Sequence, residues 1–280
     1  MATAAGVVLA GGRSSRMGSP KAALEWHGST LLWRTVAIIG RATGGPVVVV
    51  RAPGQELPAL PPDTGVVDDA REGQGPVQGI AAGLAAVSDQ AQVAFVSSTD
   101  MPFLHPAFVR RVLRAAEDGA DVGLPVAHGF RQPLAAAYRT ALAAAAERLV
   151  AAGRLKPAFL FDQCNVAMLD ESALRADPVL AALDPALESV VNVNEPADYW
   201  AARARPGPEV TVQRFGVLAA GRRGPELVRA ATVAEAAAAA DVALDRHVIA
   251  ALNGDRITRD GQTPLATGDS VLFLSAEAGG

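Results

Sequence analysis

The segment Gly6-Val7-Val8-Leu9-Ala10 runs directly into Gly11-Gly12-Arg13-Ser14-Ser15-Arg16-Met17-Gly18-Ser19-Pro20-Lys21. An apolar run this short, without polar alternation and closed by glycines, predicts a buried parallel strand that opens into a loop. The glycines let backbone N–H groups come close to an anion. Arg16 and Lys21 add positive charge of the kind that stabilises a phosphoryl group in its transition state. The spacing is neither that of a Walker loop nor that of a dinucleotide fingerprint.

Further short β-rich runs alternate with helical stretches. Val47 to Val50, Val66-Val67 ahead of Asp68-Asp69, Val93 to Val96 ahead of Ser97-Ser98-Thr99-Asp100, and Asp121 to Pro125 read as strands. Leu31 to Arg41, Gly79 to Val87, Phe108 to Ala116 and Thr140 to Ala152 read as helices, the first with Ser29 or Thr30 as cap. Pro196 to Arg203 reads as a helix with Pro in its first turn. This alternation predicts an α/β fold, a doubly wound and mostly parallel Rossmann-like sheet. Such sheets bind ligands beyond the carboxyl ends of their strands. The glycine-rich loop, Asp68, Asp69 and Asp100 all come after strand ends, so one crevice can collect them.

Arg205-Pro206-Gly207-Pro208 punctuates the chain strongly. It divides the 280 residues into a domain over 1–205 and a second over 209–280. The second part reads as strands around Val210 to Phe215, a helix from Thr232 to Ala240 capped by Thr232, a strand over Val248 to Leu252, an Asn253-Gly254 hairpin turn and a last strand over Ser270 to Ser275. That β-β-α-β-β order suggests a small α+β β-grasp, or ubiquitin-like, domain.

Composition narrows the function classes. A net charge of −4 argues against a nucleic-acid surface, which needs clustered excess cations. No apolar stretch approaches the roughly 20 residues of a membrane span. The start of the chain lacks the basic flank of a signal peptide, which gives a cytoplasmic expectation. The single cysteine, Cys164, excludes an internal disulfide. It lies in Phe161 to Met168, read as a strand, and is expected to be a buried structural thiol. His27, His105, His128 and His247 show no metal-ligand spacing. Of 25 Lys plus Arg only Lys21 and Lys156 are lysines. A lysine kept in an arginine-biased chain suggests a need for a compact ammonium.

Leu9 to Lys21 resembles the signature L-x-G-G-x-S-x-R-M-G-x-x-K of a nucleotidyltransferase superfamily. Asp100-Met101-Pro102-Phe103 resembles its metal-binding element. A carboxylate at a strand end suits Mg²⁺, which takes few protein oxygens plus substrate phosphates. Asp68-Asp69 with Gly75-Pro76-Val77-Gln78-Gly79-Ile80 is similar to the family's D-x…G-P-L-x-G-I, with Val77 in place of Leu and Asp69 as the aligned acid. Gln132-Pro133-Leu134 to Tyr138 resembles P-L-x-A-L-Y. Asn192-Val193-Asn194-Glu195-Pro196-Ala197-Asp198 resembles the N-x-N-x-P-E-D element of the molybdenum cofactor guanylyltransferases. The resemblance spans about Gly6 to Arg203. One departure is Val50-Arg51, where the family often has a polar nucleotide-contacting residue.

The resemblance implies a transferase that moves GMP from GTP to molybdopterin with Mg²⁺ and releases pyrophosphate. It implies Arg16, Lys21 and Asp100 as catalytic residues, Asp100 as the metal ligand, and Leu9, Ala10, Gly11, Gly12, Lys21, Asp69 and Asp100 as nucleotide contacts. Asn192 and Asn194 are the implied substrate contacts. CTP in place of GTP, or a sugar phosphate as acceptor, stays open.

From Val210 to Gly280 the chain resembles the small subunit of molybdopterin synthase and the thiamine sulfur carrier, ending Gly279-Gly280. This implies a carrier activated as a thiocarboxylate at Gly280, with an adenylating and sulfurating enzyme and the molybdopterin synthase large subunit as partners. A binding or regulatory module without sulfur is the alternative.

Overall fold

Strands form where valine and alanine run too briefly for a helix and the chain is punctuated at both ends. The computed structural model of the protein describes residues 4–11, 20–69, 75–219 and 224–275. The chain separates into two compact units, Met1–Leu24 with Thr30–Ala202, and Glu25–Ser29 with Arg203–Gly280. A division at Arg205-Pro206-Gly207-Pro208 alone leaves 25–29 in the first domain, whereas the fold groups them with the second unit.

In the first unit the central sheet contains β1 (Ala5–Leu9), β2 (Val47–Arg51), β3 (Gly65–Asp68), β4 (Val93–Ser98), β5 (Val122–Ala127), β6 (Ala135–Arg139) and β7 (Val166–Leu169). Their order across the sheet is β7-β5-β6-β4-β1-β2-β3, and a short strand, Phe130–Arg131, pairs with β5. The pairs β1–β2, β1–β4, β2–β3 and β5–β7 are parallel, and β6 runs antiparallel to both its neighbours.

Helices α1 (Leu31–Thr43), α2 (Pro76–Val87), α3 (Pro106–Glu117) and α4 (Ala143–Ala151) cover the sheet. Val8, Val49 and Phe95 share one core with Leu32, Val36, Ile39, Phe108 and Val112 from α1 and α3. Val7, Val48, Val50 and Val96 share the other with Ile80 and Leu84 of α2 and Leu149 of α4. Both faces of β1, β2 and β4 are therefore buried, which is why their sequences are continuously apolar. Helix α2 lies so close to β1 that a Cβ on Gly83 would collide with Val7. Thr30, not Ser29, caps α1: its Oγ1 accepts from Trp33 N–H at 3.1 Å.

One local expectation is corrected. Phe161 to Met168 is not one strand: a short helix, Ala158–Phe161, ends there and β7 begins only at Val166. Cys164 lies between them, half-buried, its thiol donating to the Leu160 carbonyl at 3.3 Å. Burial, with the Asp121 carboxylate nearby, pushes that thiol up to about 11, which leaves it protonated and inert near neutrality. The stretch Thr140 to Ala152 is helical as expected, a 3-10 turn at Thr140–Leu142 running directly into α4. There Thr140 is held by bonds to Gln92 and Ala91 carbonyls at the edge of the sheet. Helix α5 (Pro196–Arg203) comes directly after the Asn192 to Asn194 segment.

The second unit holds β8 (Glu209–Arg214), β9 (Glu226–Arg229), α6 (Val233–Ala239), β10 (Val248–Leu252), β11 (Arg256–Thr258) and β12 (Ser270–Ser275). The sheet order is β9-β8-β12-β10-β11, with β8 and β12 parallel at its centre and the other pairs antiparallel. Strand β11 has no counterpart in the sequence pattern. It is three residues long and mostly exposed, with no apolar alternation to announce it. Val210, Val212, Val233, Ala236, Leu252 and Phe273 form the core. Thr232 caps α6 through Glu235 N–H, and the Glu235 carboxylate reaches back to Ala231 N–H at 2.7 Å. Positive φ at Asn253 and Gly254 makes the β10–β11 turn. Among the described residues no helix is long and apolar enough to cross a membrane.

Candidate active site

The parallel register sets the site. Leu9 lies opposite Val50 and Ser98, and Arg51 opposite Asp68, so β1 to β4 end at the same edge of the sheet. The residues at these strand ends lie along one edge of the sheet, where an open α/β sheet has its ligand crevice. Leu9, Ala10 and Gly11 leave β1, Arg51 leaves β2, Asp68 and Asp69 leave β3, and Asp100 leaves β4.

At one end of the crevice three separate segments meet at Lys21. Its Nζ donates to Asp100 Oδ2 at 2.9 Å and to Asn194 Oδ1 at 3.0 Å. The Lys21 and Asp100 side chains are 19% and 17% exposed, so the pair is sheltered but reachable from solvent. Asp100 Oδ1 accepts from the Ser98 hydroxyl at 2.5 Å, and its backbone carbonyl accepts from Val193 N–H at 2.9 Å. The Asp198 carboxylate takes the N–H groups of Asn194 and Glu195 at 3.2 and 3.1 Å, which fixes the turn that presents Asn194. Below Asp100 the loop is anchored in the core: Met101 is buried, and buried Arg34 donates to the Pro102 carbonyl at 2.6 Å.

The other end is built differently. Arg51 Nε donates to Asp68 Oδ1 at 2.6 Å, and Arg51 Nη1 to the Gln55 carbonyl at 3.1 Å. The Gln78 amide, buried at the start of α2, donates to the Asp69 carboxylate. The Gln55 amide joins two loops: its Nε2 donates to the Ala10 carbonyl at 3.0 Å, and its Oε1 accepts from Ala52 N–H at 3.0 Å. The chain after β2 lies close to Gly11, where a Cβ would stand 3.2 Å from Ala52 N.

Of the site residues expected from sequence, the fold brings Lys21, Asp100 and Asn194 into direct contact and sets Leu9, Ala10, Gly11 and Asp69 at the same edge of the sheet. Asn192 does not join the cluster through its side chain, whose Nδ2 donates to the nearby Val190 carbonyl at 3.2 Å. Gly12, Arg16 and Gly280 lie outside the described residues. Gln55, Gln78 and Ser98 do not stand out in the sequence. A glutamine in a Pro/Gly-rich loop, or in the first turn of a helix, carries no signal until its partner is known. His105 is buried and structural, its Nδ1 accepting from Ala107 N–H at the start of α3. Among the described residues no three His, Cys, Asp or Glu side chains converge as a metal cluster. A strand-end carboxylate such as Asp100 is of the type Mg²⁺ takes, one or two per ion with water and phosphate completing the shell, and here its oxygens hold Lys21 Nζ and the Ser98 hydroxyl.

Residues 6–166 match the model of the MobA-like NTP transferase domain. The chain belongs to this family. A Mycobacterium tuberculosis protein named "probable molybdenum cofactor guanylyltransferase" is 43% identical over 162 residues, 56% of this chain and 79% of the relative. One of the same name from Mycobacterium ulcerans is 40% identical over 188 residues, 65% and 92% of the two chains. Among solved structures, a molybdopterin-guanine dinucleotide biosynthesis protein A from Archaeoglobus fulgidus superposes with a TM-score of 0.56 at 23% identity, covering 71% of this chain and 96% of that one. At that identity the likeness speaks for the fold alone. As a MobA-like NTP transferase the protein is a nucleotidyltransferase, and the family match covers the glycine-rich sequence that follows Leu9, together with Lys21 and Asp100. Asn194 lies beyond the matched residues and reaches the site by its bond to Lys21.

Proposed function

We propose that the first unit transfers GMP from GTP to the terminal phosphate of molybdopterin, with or without molybdenum. An oxygen of that phosphate would attack the α-phosphorus, the α–β phosphoanhydride bond would break, and pyrophosphate would leave. No protein nucleophile is required, and the catalytic work is positioning and charge stabilisation. The observation that carries this reading is the meeting of Lys21, Asp100 and Asn194. It joins the loop of a nucleotide site, a strand-end carboxylate and the Asn-x-Asn element in one hydrogen-bonded cluster.

Each residue then has a task. Lys21 supplies a compact cation to the triphosphate, aided by Arg16. The backbone of Leu9, Ala10, Gly11 and Gly12 lines the nucleotide, and Asp69, held by Gln78, lies at its far end. Asp100, oriented by the Ser98 hydroxyl, would hold Mg²⁺. The ion would neutralise charge on the phosphate oxygens. Asn194 would face the acceptor phosphate or pterin, and Asn192 would do so only by leaving the Val190 carbonyl.

The test is a nucleotide panel with Mg²⁺ and molybdopterin, reading pyrophosphate and the mass of the dinucleotide. GTP as sole productive donor supports the reading. CTP as donor, or transfer only to a sugar phosphate, overturns it.

For the second unit we propose a β-grasp sulfur carrier. The sheet order supports this: parallel β8 and β12 lie at the centre, flanked by antiparallel strands, with one helix between β9 and β10. An adenylating enzyme would join AMP from ATP to the Gly280 carboxylate, releasing pyrophosphate. Sulfide-level sulfur delivered by the sulfurating partner would then attack the acyl carbon, break its bond to AMP and leave a thiocarboxylate for the synthase large subunit. A chain extended beyond Gly280 should then show no thiocarboxylate by mass spectrometry while nucleotidyl transfer persists. Sulfur-dependent molybdopterin formation by the extended, unprocessed chain would leave the second unit as a binding or regulatory module.

A further inference from the structure

The cation of Arg51 stands where a nucleotide-contacting side chain is expected, yet Arg51 is engaged. Its Nε is on Asp68 and its Nη1 on the Gln55 carbonyl. The turn it holds, Ala52 to Gln55, is closed by Gln55 N–H on the Ala52 carbonyl at 3.0 Å. This turn returns the Gln55 amide to the crevice, four residues after the strand has ended. There the amide spans two backbones, taking the Ala52 N–H and giving to the Ala10 carbonyl. Ala10 N–H is in turn held by the Val50 carbonyl at 2.8 Å. Both polar groups of Ala10 are thus committed to the strand that precedes Gln55 and to Gln55 itself.

With the triphosphate at the Lys21–Asp100 end, the base falls over the ends of β1 to β3, against the Ala10–Gly11 backbone. Gly11 is exposed there, and a side chain on it would press on Ala52 N. A base is read by the fixed direction of a few donors and acceptors. A peptide free to rock by a few tenths of an ångström accepts several bases equally. A primary amide that donates to one peptide and accepts from the next fixes both directions at once. Each bond leaves it capacity, since Nε2 has a second hydrogen and Oε1 a second lone pair.

We propose that Gln55 is the residue that sets base discrimination, by locking the Ala10–Gly11 and Arg51–Ala52 peptides into the edge against which the base is read. It is a positioning residue, acting through those peptides. The inference rests on the reading of this crevice as the nucleotide site.

The experiment compares wild type with Gln55→Ala and Gln55→Glu in the full chain. GTP, ATP and CTP are each titrated with Mg²⁺ by calorimetry, and kcat and KM for transfer are measured alongside. Melting temperatures confirm that the variants fold. The preferred nucleotide should bind roughly tenfold more weakly to Gln55→Ala, the scale of one lost hydrogen bond. The disfavoured nucleotides should be unchanged, and the loss should fall on KM and not on kcat. Gln55→Glu should lose at least as much, because a carboxylate oxygen would face the Ala10 carbonyl. Equal weakening for all three nucleotides, or an intact preference, overturns the proposal and leaves Gln55 a loop brace. A wild type that prefers CTP or ATP defeats the guanylyl reading alone, since Gln55 is then judged on that base. A wild type indifferent to the base overturns both.

Discussion

The two ends of the crevice hold their side chains by opposite means. At the Asp100 end the decisive bonds join side chains 79 and 173 residues apart in sequence, and both start from the Lys21 ammonium. At the Asp69 end partners lie 9, 17 and 45 residues apart, and the longest of these bonds ends on a backbone carbonyl. The first cluster exists only when the whole unit has folded, because Asn194 reaches Lys21 from beyond the last strand of the sheet. The second is assembled largely by the β2 to α2 stretch itself. Ends built this way should fail differently. Loss at the charged end should strike turnover, and loss at the other end should strike recognition or nothing.

Asp100→Asn is expected to have the largest effect. A neutral amide is a far poorer ligand for a hard cation, and charge stabilisation at a phosphoryl centre is worth several kcal/mol, or about 10³-fold in kcat. The Ser98 and Val193 bonds can persist, so the fold should survive, which circular dichroism would check. Wild-type turnover by this variant at saturating Mg²⁺ would remove the charged end from the chemistry altogether.

Lys21→Ala should cost on the order of 10²-fold in kcat, the scale of one electrostatic group in a transition state. Lys21→Arg should also be poor. A planar fork cannot reproduce a point charge that meets Asp100 and Asn194 at 2.9 and 3.0 Å from a single nitrogen. Full activity in Lys21→Arg would show that any cation suffices and that the geometry of the cluster is incidental.

Asn194→Ala sharpens the comparison by separating two roles. As a holder of Lys21 it should lower kcat about tenfold, the lower end for a hydrogen bond to a charged group. As a contact to the acceptor it should instead raise KM for molybdopterin with kcat preserved. Steady-state kinetics with each substrate varied in turn distinguishes them.

Legibility in the sequence divides along the same line. The charged end can be read because each part announces itself: a glycine-rich loop with a rare lysine, an acid after Ser97-Ser98-Thr99, and Asn-x-Asn before a proline. That Lys21 touches both of the others cannot be read, since contact between segments 173 residues apart is a property of the packed sheet. The strands from Val47 and Val93 are plain because burial on both faces leaves only apolar residues. Phe161 to Met168 misleads for a related reason. Phe159, Leu160 and Phe161 pack against one core with Val166, so a helix end and a strand start place apolar residues close together on either side of the polar Asp162-Gln163 turn. Gln55 and Gln78 are silent, because glutamine is common on any surface and only a fixed partner gives it meaning.

Arg51→Ala is the smallest effect expected and the most direct test of the local end. Arg51 is the departure from the family pattern, and were it a nucleotide contact its loss would be felt strongly. The structure gives it other work. Its guanidinium pairs with Asp68, and the two side chains are 33% and 56% exposed, so solvent and salt screen the pair. Exposed pairs of this kind contribute roughly 0–1 kcal/mol. The bond from Nη1 to the Gln55 carbonyl is a second, modest tie on the same turn. That turn keeps its closing bond from Gln55 N–H to the Ala52 carbonyl whether or not Arg51 is present. Removing Arg51 should therefore shift KM for the nucleotide by no more than about threefold, within that 1 kcal/mol, and leave kcat unchanged. The small shift should vanish in high salt, where the wild-type pair is already screened. A loss of tenfold or more that persists in high salt would mean that Arg51 leaves Asp68 to meet the nucleotide. Both ends of the crevice would then set a cation on the nucleotide, and the contrast between them would fail.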